Sequence, residues 1–244
     1  MSFTNKAIRF SIFFLLISIG YKYYRLYFDE NLIRSIEDWA NSNKISTDGI
    51  KFADFKVEYN KNEWFGLVDK LEKTRYFETL DQQLIKSNEF GFDPDFAREL
   101  VDYWKSGFNW RTQVDTLNKY KQYRATINGT TVHFVRHRIE PRKSGAKVAK
   151  VMLVDGWPGS FYGFYKLVEH LESREEAIGF DLIIPSLPGY LYSTPLSKPV
   201  DTFDTALLLD ALMRSLFNDE NCTYYVHGEV RSASAILIAK KFHL

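Results

Sequence analysis

The spacing of apolar residues changes from a helical to a strand-like period near the middle of the chain. Between Phe52 and Leu117 apolar residues recur mostly at helical intervals, which predicts a mainly helical region. Asp93 and Pro94 are typical of a helix N-terminus, because an aspartate caps free backbone N–H groups and a proline fits the first turn. Further helices are predicted at residues 64–71 and 110–117.

After residue 120 the pattern predicts strands that alternate with helices. Two strands, Tyr123–Ile127 and Thr131–Arg136, flank Asn128-Gly129, a pair typical of a type I′ hairpin turn. The remaining predicted elements are strands at 148–154, 180–184 and 223–226, and helices at 160–172, 202–217 and about 232–242. Such alternation favours parallel pairing with helices on both faces of the sheet, so the predicted fold class is α/β.

The N-terminus forms a separate element. Residues 10–21 contain no charged side chain, while Lys6 and Arg9 precede this run and Lys22 and Arg25 follow it. The run is shorter than the roughly 20 residues of a membrane-spanning helix, but Arg9 could snorkel and lengthen it. We expect an uncleaved membrane anchor that contacts lipid, with a cleaved signal peptide or an interfacial helix as the alternatives. Charges on both sides leave its orientation open.

Composition excludes several classes of function. A net charge of +1 over 244 residues offers no basic surface for nucleic acid, so we expect no nucleic-acid partner. The single cysteine, Cys222, excludes an internal disulfide. The sequence has neither the spacing of metal ligands nor a glycine-rich phosphate loop, so we expect no metal and no cofactor.

The turn after the predicted strand at 148–154 is the most informative stretch. It reads Asp155-Gly156-Trp157-Pro158-Gly159-Ser160. Two glycines and a proline let the backbone turn sharply, and a cis bond before Pro158 is compatible with such a turn. Gly156, Pro158 and Gly159 shape it so that free N–H groups can point at a ligand, which is how an oxyanion hole is built.

Several motifs, in this order and spacing, resemble the microsomal epoxide hydrolase family and its juvenile-hormone epoxide hydrolases. The motifs are Leu71-Glu72-Lys73-Thr74-Arg75, Tyr103-Trp104, Phe108-Asn109-Trp110-Arg111, Ile127-Asn128-Gly129, Gly156-Trp157-Pro158-Gly159-Ser160-Phe161-Tyr162 and Pro185-Ser186-Leu187-Pro188-Gly189-Tyr190. The resemblance implies a membrane anchor at 1–28 and a helical epoxide-hydrolase N-terminal domain at 29–120. It further implies an incomplete α/β-hydrolase core at 121–244, which ends after the helix that follows the nucleophile elbow.

The resemblance also implies a reaction that needs no cofactor. In the family, a carboxylate opens the epoxide as an ester, and a histidine oriented by a second carboxylate activates the water that releases the diol. Two tyrosines of a cap protonate the epoxide oxygen. The implied oxyanion donors here are the backbone N–H groups of Trp157 and Arg231. Family members are anchored in the endoplasmic reticulum membrane, where they act in epoxide metabolism and detoxification of xenobiotic or lipid epoxides.

The nucleophile position departs from the family pattern. The elbow motif, small-x-nucleophile-x-small, matches residues 228–232, so Val230 stands where the family has aspartate, and an isopropyl group cannot attack an epoxide. Glu229 could serve only if the register slipped by one, which would place Arg231 in a small position. Ser232 is a further candidate nucleophile. Asp155 stands where the family usually has histidine.

The other catalytic groups of the family follow the elbow, and the sequence up to Leu244 has no counterpart for them. We expect His133 to be a packed or a surface histidine without a catalytic role, and we assign no catalytic role to the remaining histidines, which are His137, His170, His227 and His243. The chain is therefore expected to be inactive as written, and an epoxide would be its ligand only if it were active.

Three interpretations stay open. The chain is a non-catalytic paralogue, a fragment or incomplete gene model of a longer active enzyme, or an active hydrolase that uses an unrecognised route. No further strand is predicted after the one at 223–226, so this strand would form an exposed sheet edge, which favours self-association. A membrane-anchored interaction protein is therefore the alternative to a degenerate enzyme.

Overall fold

The computed structural model describes residues 30–76, 93–143, 145–174, 178–196 and 202–228. The chain divides into two compact units, one of residues 1–54 and 122–244 and the other of residues 55–121. The expected anchor and the last predicted helix lie outside the described residues. No helix within the described ranges is long and apolar enough to cross a membrane.

The described elements follow one another in an order close to the predicted one. They are α1 (Glu30–Ser42), β1 (Lys51–Phe55), α2 (Lys61–Glu72), α3 (Pro94–Ser106), α4 (Trp110–Leu117), β2 (Gln122–Ile127), β3 (Thr130–Ile139), β4 (Val148–Val154), a 3₁₀ helix (Phe161–Phe164), α5 (Tyr165–Ser173), β5 (Gly179–Pro185), α6 (Thr202–Phe217) and β6 (Tyr225–Gly228).

The unit of residues 55–121 holds the helices α2, α3 and α4. Each begins at a polar cap, since the side chains of Asn60, Asp93 and Asn109 accept backbone N–H groups two or three residues further on. Pro94 follows Asp93 at the first helical position, which confirms the predicted start of α3.

β1 lies within the stretch that was expected to be mostly helical. Its five residues, Lys51–Phe55, show no alternation of apolar and polar side chains, so a strand this short does not stand out against the helical pattern around it. Phe52 packs edge-on against Phe134 of β3, with ring centroids 6.3 Å apart. This expectation was therefore wrong for residues 51–55.

The sheet has six strands in the order β1-β2-β3-β5-β4-β6. β2 and β3 form the predicted hairpin, and Asn128 and Gly129 have φ values of 47° and 79°, in the left-handed region that a type I′ turn requires. β3 pairs antiparallel with β5, whereas β4 pairs parallel with both β5 and β6. The predicted parallel pairing thus holds for the second half of the sheet.

Two boundaries differ from the prediction. The segment after the turn begins as a 3₁₀ helix, because the N–H of Gly163 donates to the carbonyl of Ser160, and α5 starts only at Tyr165. β6 begins two residues later than predicted. Tyr224, just before it, is instead buried in the core with its hydroxyl on Asp210.

The core of the larger unit forms around α6. Ten consecutive residues of this helix, 205–214, are buried, and its apolar side chains join those of β2, β3, β4 and β5 in one cluster. A helix buried on all sides fits its almost uninterrupted run of apolar residues. This core holds the parallel strands whose carboxyl ends carry the candidate site.

Candidate oxyanion site

The turn after β4 brings backbone groups together at one edge of the sheet. The peptide bond between Trp157 and Pro158 is cis, and the N–H of Gly159 donates to the carbonyl of Gly156 over 2.8 Å. The three residues that were predicted to shape the turn, Gly156, Pro158 and Gly159, therefore lie in one tight bend that follows the strand directly.

The side chain of Asp155 lies inside this turn. Its Oδ1 accepts the N–H of Gly156 at 2.8 Å. A methyl group added to Gly159 would overlap the Asp155 carboxylate, and one added to Gly163 would lie 3.2 Å from it. The two glycines therefore leave the space that the carboxylate occupies, and one amide of the turn is already bonded to it.

Of the two predicted oxyanion donors, the structure describes Trp157. Its amide has no hydrogen-bond partner within the described part of the chain, and its indole is 66% exposed. A free amide on a tight turn is the kind of donor that can stabilise a developing negative charge. Arg231, the second predicted donor, lies outside the described residues.

The end of β6 lies beside the turn. In the parallel pairing of β4 with β6, Val154 is opposite Gly228, so both strands end at the same edge of the sheet. Gly228 is the first residue of the predicted nucleophile elbow. The remaining elbow residues, Glu229, Val230 and Ser232 among them, lie outside the described residues.

A small cavity of about 20 Å³ separates the turn from the loop that follows β5. A cavity of this size holds about one water molecule. Among the described residues that line it, Asp155 is the only carboxylate, and none is a histidine. Among the described residues, the lining therefore supplies one carboxylate but no histidine that could act as a base.

His133 is fully buried and contacts Ser186 of the Pro-Ser-Leu-Pro-Gly motif. Its Nδ1 lies 2.9 Å from Oγ of Ser186, and its Nε2 lies 2.8 Å from Oε1 of Gln122. Its backbone N–H donates to Oγ of Ser193, whose hydroxyl donates to the carbonyl of Ser186. Of the two settings expected for this histidine, packed or at the surface, the structure shows the packed one, since both ring nitrogens have partners inside the core.

This network is a part of the site that the sequence did not predict. It ties β2 and β3 to the loop that starts at Ser186, within the Pro-Ser-Leu-Pro-Gly motif that lines the small cavity. Burial, together with the smaller effect of the Arg124 charge, lowers the pKa of His133 to about 3. The imidazole is therefore neutral at physiological pH and positions the loop.

None of the other described histidines lines the small cavity. His137 is 2.8 Å from Glu172, and the side chains of His170 and His227 are exposed. His243 lies outside the described residues. Within the described ranges, no group of histidine, cysteine, aspartate and glutamate side chains is arranged to hold a metal ion.

Comparison with known families matches two adjoining parts of the chain. Residues 52–164 match the family described as the epoxide hydrolase N terminus, and residues 150–227 match the alpha/beta hydrolase fold. Juvenile hormone epoxide hydrolase 1 of Ctenocephalides felis is 31% identical over 231 residues, which are 92% of this chain and 48% of that protein. Epoxide hydrolase 1 of Sus scrofa is 34% identical over 149 residues, which are 59% of this chain and 32% of that protein.

Solved structures show the same fold. The juvenile hormone epoxide hydrolase of Bombyx mori superposes with a TM-score of 0.70 at 23% identity and covers 84% of this chain and 52% of its own. The epoxide hydrolase of Aspergillus niger superposes with a TM-score of 0.65 at 27% identity and covers 79% of this chain and 50% of its own. The larger unit thus has an α/β-hydrolase fold.

The chain spans at most about half the length of the relatives named above. Its matches nevertheless run from residue 52 to residue 227 without a break, across both units and through the turn. The chain therefore belongs to the epoxide hydrolase family.

Proposed function

We propose that this chain retains the oxyanion turn of an epoxide hydrolase but does not hydrolyse epoxides as written. The observation that carries the proposal is the register of β4 with β6. Since Gly228 pairs opposite Val154, the chain enters the predicted elbow at the edge where the turn lies, and the nucleophile position two residues on is Val230. Valine has no lone pair with which to open an epoxide.

The charge of the turn supports the same proposal. An oxyanion site works by offering unpaired donors to negative charge that develops in the reaction. Here the Asp155 carboxylate lies in the turn and takes the N–H of Gly156. A fixed negative charge at this place opposes a second one, because like charges a few ångströms apart repel strongly away from water.

The test is diol formation by the purified chain with styrene oxide or stilbene oxide. We expect no diol above the rate in buffer. Diol production that Glu229→Gln abolishes would contradict the proposal and would show that the elbow register has slipped onto Glu229.

Mass spectrometry tests the nucleophile position directly. In Val230→Asp the new carboxylate can attack an epoxide carbon, the ring C–O bond breaks, and the oxide oxygen takes a proton from water. The protein should then gain the mass of one epoxide as an ester. Val230→Asn is the matched control and should stay unmodified, as should the parent chain.

We also propose that residues 10–21 anchor the chain in the endoplasmic reticulum membrane. The support is the uncharged run itself, the cations that bracket it, and the tyrosines that follow it, which are typical of a membrane interface. The anchor would hold the chain at the surface where apolar epoxides concentrate.

A further inference from the structure

The unit of residues 55–121 contains a cavity to which the proposed function gives no role. It lies among α2, α3 and the start of α4 and has a volume of about 650 Å³. This volume is in the range of small-molecule sites. Five of its lining residues are aromatic and one is acidic: Trp64, Tyr103, Trp104, Phe108, Trp110 and Glu63. We call this space the aromatic cavity.

The rings of the aromatic cavity are arranged as a wall around one space. Phe108 lies between two tryptophans, with ring centroids 6.3 Å from Trp64 and 6.4 Å from Trp110. Tyr103 and Trp104 of α3 complete the lining and are 60% and 45% exposed. Aromatic faces carry partial negative charge and attract cations, tryptophan most strongly.

Other rings of the same unit already have a cation from the chain itself. Lys61 lies 5.4 Å from the ring centre of Phe65, and Arg98 lies 4.4 Å from that of Tyr76. Among the described residues, no cation lies over any of the five rings of the aromatic cavity. The cavity thus has the surface that a cation prefers, and the described part of the chain places no cation on it.

The acidic residue sets the sign of the charge that the cavity accepts. Glu63 is the only charged residue in the lining among the described residues. Its Oε1 accepts the side-chain amide of Asn60 at 3.0 Å, and the described residues place no lysine or arginine in an ion pair with it. A carboxylate without a counter-ion beside aromatic faces favours a cationic ligand and disfavours an anionic one.

We propose that the aromatic cavity binds an organic ammonium ion with an apolar body. The ammonium head lies near Glu63 and against the tryptophan faces, and the apolar part fills the rest of the lining. A compact quaternary head suits the site, because it needs no hydrogen-bond acceptors and loses little when aromatic faces replace its water.

Two probes of equal shape separate this proposal from a merely apolar cavity. Phenyltrimethylammonium and tert-butylbenzene differ only in charge. A merely apolar cavity would prefer tert-butylbenzene, since the neutral compound is the more poorly hydrated. We expect the cation to bind to the full chain at least fivefold more tightly, as measured by ligand-observed NMR titration.

Variants test each part of the cavity. Glu63→Gln keeps the backbone N–H that Asn60 caps and should weaken binding of the cation about threefold to tenfold, with no effect on the neutral probe. Glu72→Gln, at the far end of the same helix and outside the cavity, is the matched control and should change nothing. Trp104→Leu keeps an apolar lining and should also weaken only the cation.

Several results would overturn the proposal. They are tighter binding of tert-butylbenzene, equal effects of Glu63→Gln and Glu72→Gln, and failure of both probes to bind at millimolar concentration. The last result would mean that another part of the chain already fills the cavity. Circular dichroism of each variant establishes that the comparison is between folded proteins.

Discussion

At the scale of single residues, the turn could be predicted and its electrostatics could not. Gly156, Pro158 and Gly159 predict a tight bend, because glycine permits sharp backbone turns and proline fixes φ and removes a donor. The direction of the Asp155 side chain depends on the space left by Gly159 and on Gly163, which lies beyond the bend. Only the structure therefore shows that the Asp155 carboxylate lies inside a turn whose sequence is typical of an oxyanion site.

The hydrogen-bond partners of His133 also could not be predicted from the sequence. The sequence left open whether the histidine is packed or at the surface, because its partners Gln122 and Ser186 are 11 and 53 residues away along the chain. Since Oε1 of Gln122 can only accept, Nε2 carries the proton and Nδ1 accepts the hydroxyl of Ser186. The ring is therefore held as a neutral tautomer, which links it to the pH dependence of stability.

We expect His133 to make folding less favourable in acid. Its pKa is about 3 in the folded chain and near 6.5 when unfolded, so below pH 6.5 only the unfolded state takes up its proton. The free energy of unfolding should fall by about 1.4 kcal/mol per pH unit between pH 6.5 and 3 from this residue alone, or about 2 kcal/mol at pH 5.

Urea unfolding at pH 7 and pH 5 measures this effect. His133→Gln, which has no titrating ring, should lose about 2 kcal/mol less than the parent chain between the two pH values. The exposed His170, changed to glutamine in the same way, should leave the difference unaltered. Equal pH dependence of the parent chain and His133→Gln would show that the ring does not carry this linkage.

At the scale of elements, α6 was predicted from its apolar run, but not the charges buried within it. Asp210 and Arg214 are each 1% exposed and lie 3.0 Å apart, one turn apart on the helix. Arg214 also donates to Glu220 at 2.7 Å and to the carbonyl of Ile45 at 2.8 Å. Asp210 and Glu220 are four and six residues from Arg214, but Ile45 is 169 residues away, and the apolar run of the helix gives no sign that these charges are buried together.

The contacts around Arg214 also keep Glu220 negatively charged. Hydrogen bonds from Lys44 and Thr47, with the charge of Arg214 nearby, lower the pKa of Glu220 to about 2. Glu220 therefore stays ionised across the physiological range. Two contacts hold the segment of residues 44–47 against the end of α6. Lys44 pairs with Glu220, and Arg214 donates to the carbonyl of Ile45.

We expect Asp210→Ala to destabilise the chain by about 3 kcal/mol or more. The change removes the buried carboxylate that pairs with the buried guanidinium of Arg214, and it removes the Asp210 oxygen to which the hydroxyl of Tyr224 donates. The double variant Asp210→Leu with Arg214→Met should lose less than Asp210→Ala alone, because it buries no unpaired charge.

The matched control is another ion pair with the same helical spacing. Asp69 and Lys73 are 2.6 Å apart at i, i+4, but both are well exposed. Asp69→Ala should change the denaturation midpoint little, since exposed pairs contribute little. An equally small change for Asp210→Ala would mean that burial does not strengthen the ion pair between Asp210 and Arg214.

At the scale of the whole molecule, the features that could be predicted are those set by the spacing of apolar residues and by the residues of the turns. The hairpin at Asn128-Gly129 and the succession of strands and helices after residue 148 followed from local patterns, and the family followed from the order and spacing of short motifs between residues 71 and 190. The sheet order, in which β5 lies between β3 and β4, depends on crossovers between distant segments. The division at residues 55 and 121 likewise follows contacts that no local pattern reveals.

The attachment of the chain to a membrane remains a prediction about residues 10–21. We expect the full chain, expressed with a C-terminal tag, to stay in the membrane pellet at full length after alkaline carbonate extraction. Leu15→Lys with Leu16→Lys should release it, because each lysine at the centre of a span costs roughly 3 kcal/mol.

Two lysines placed outside the run, Thr4→Lys with Asn5→Lys, add the same charge and should leave the chain in the membrane. The two alternatives give different results in the same experiment. A cleaved signal peptide would yield a shortened chain that carbonate releases, and an interfacial helix would yield a full-length chain that carbonate releases. Either result would contradict a spanning anchor, because only a helix that crosses the bilayer resists carbonate without being shortened.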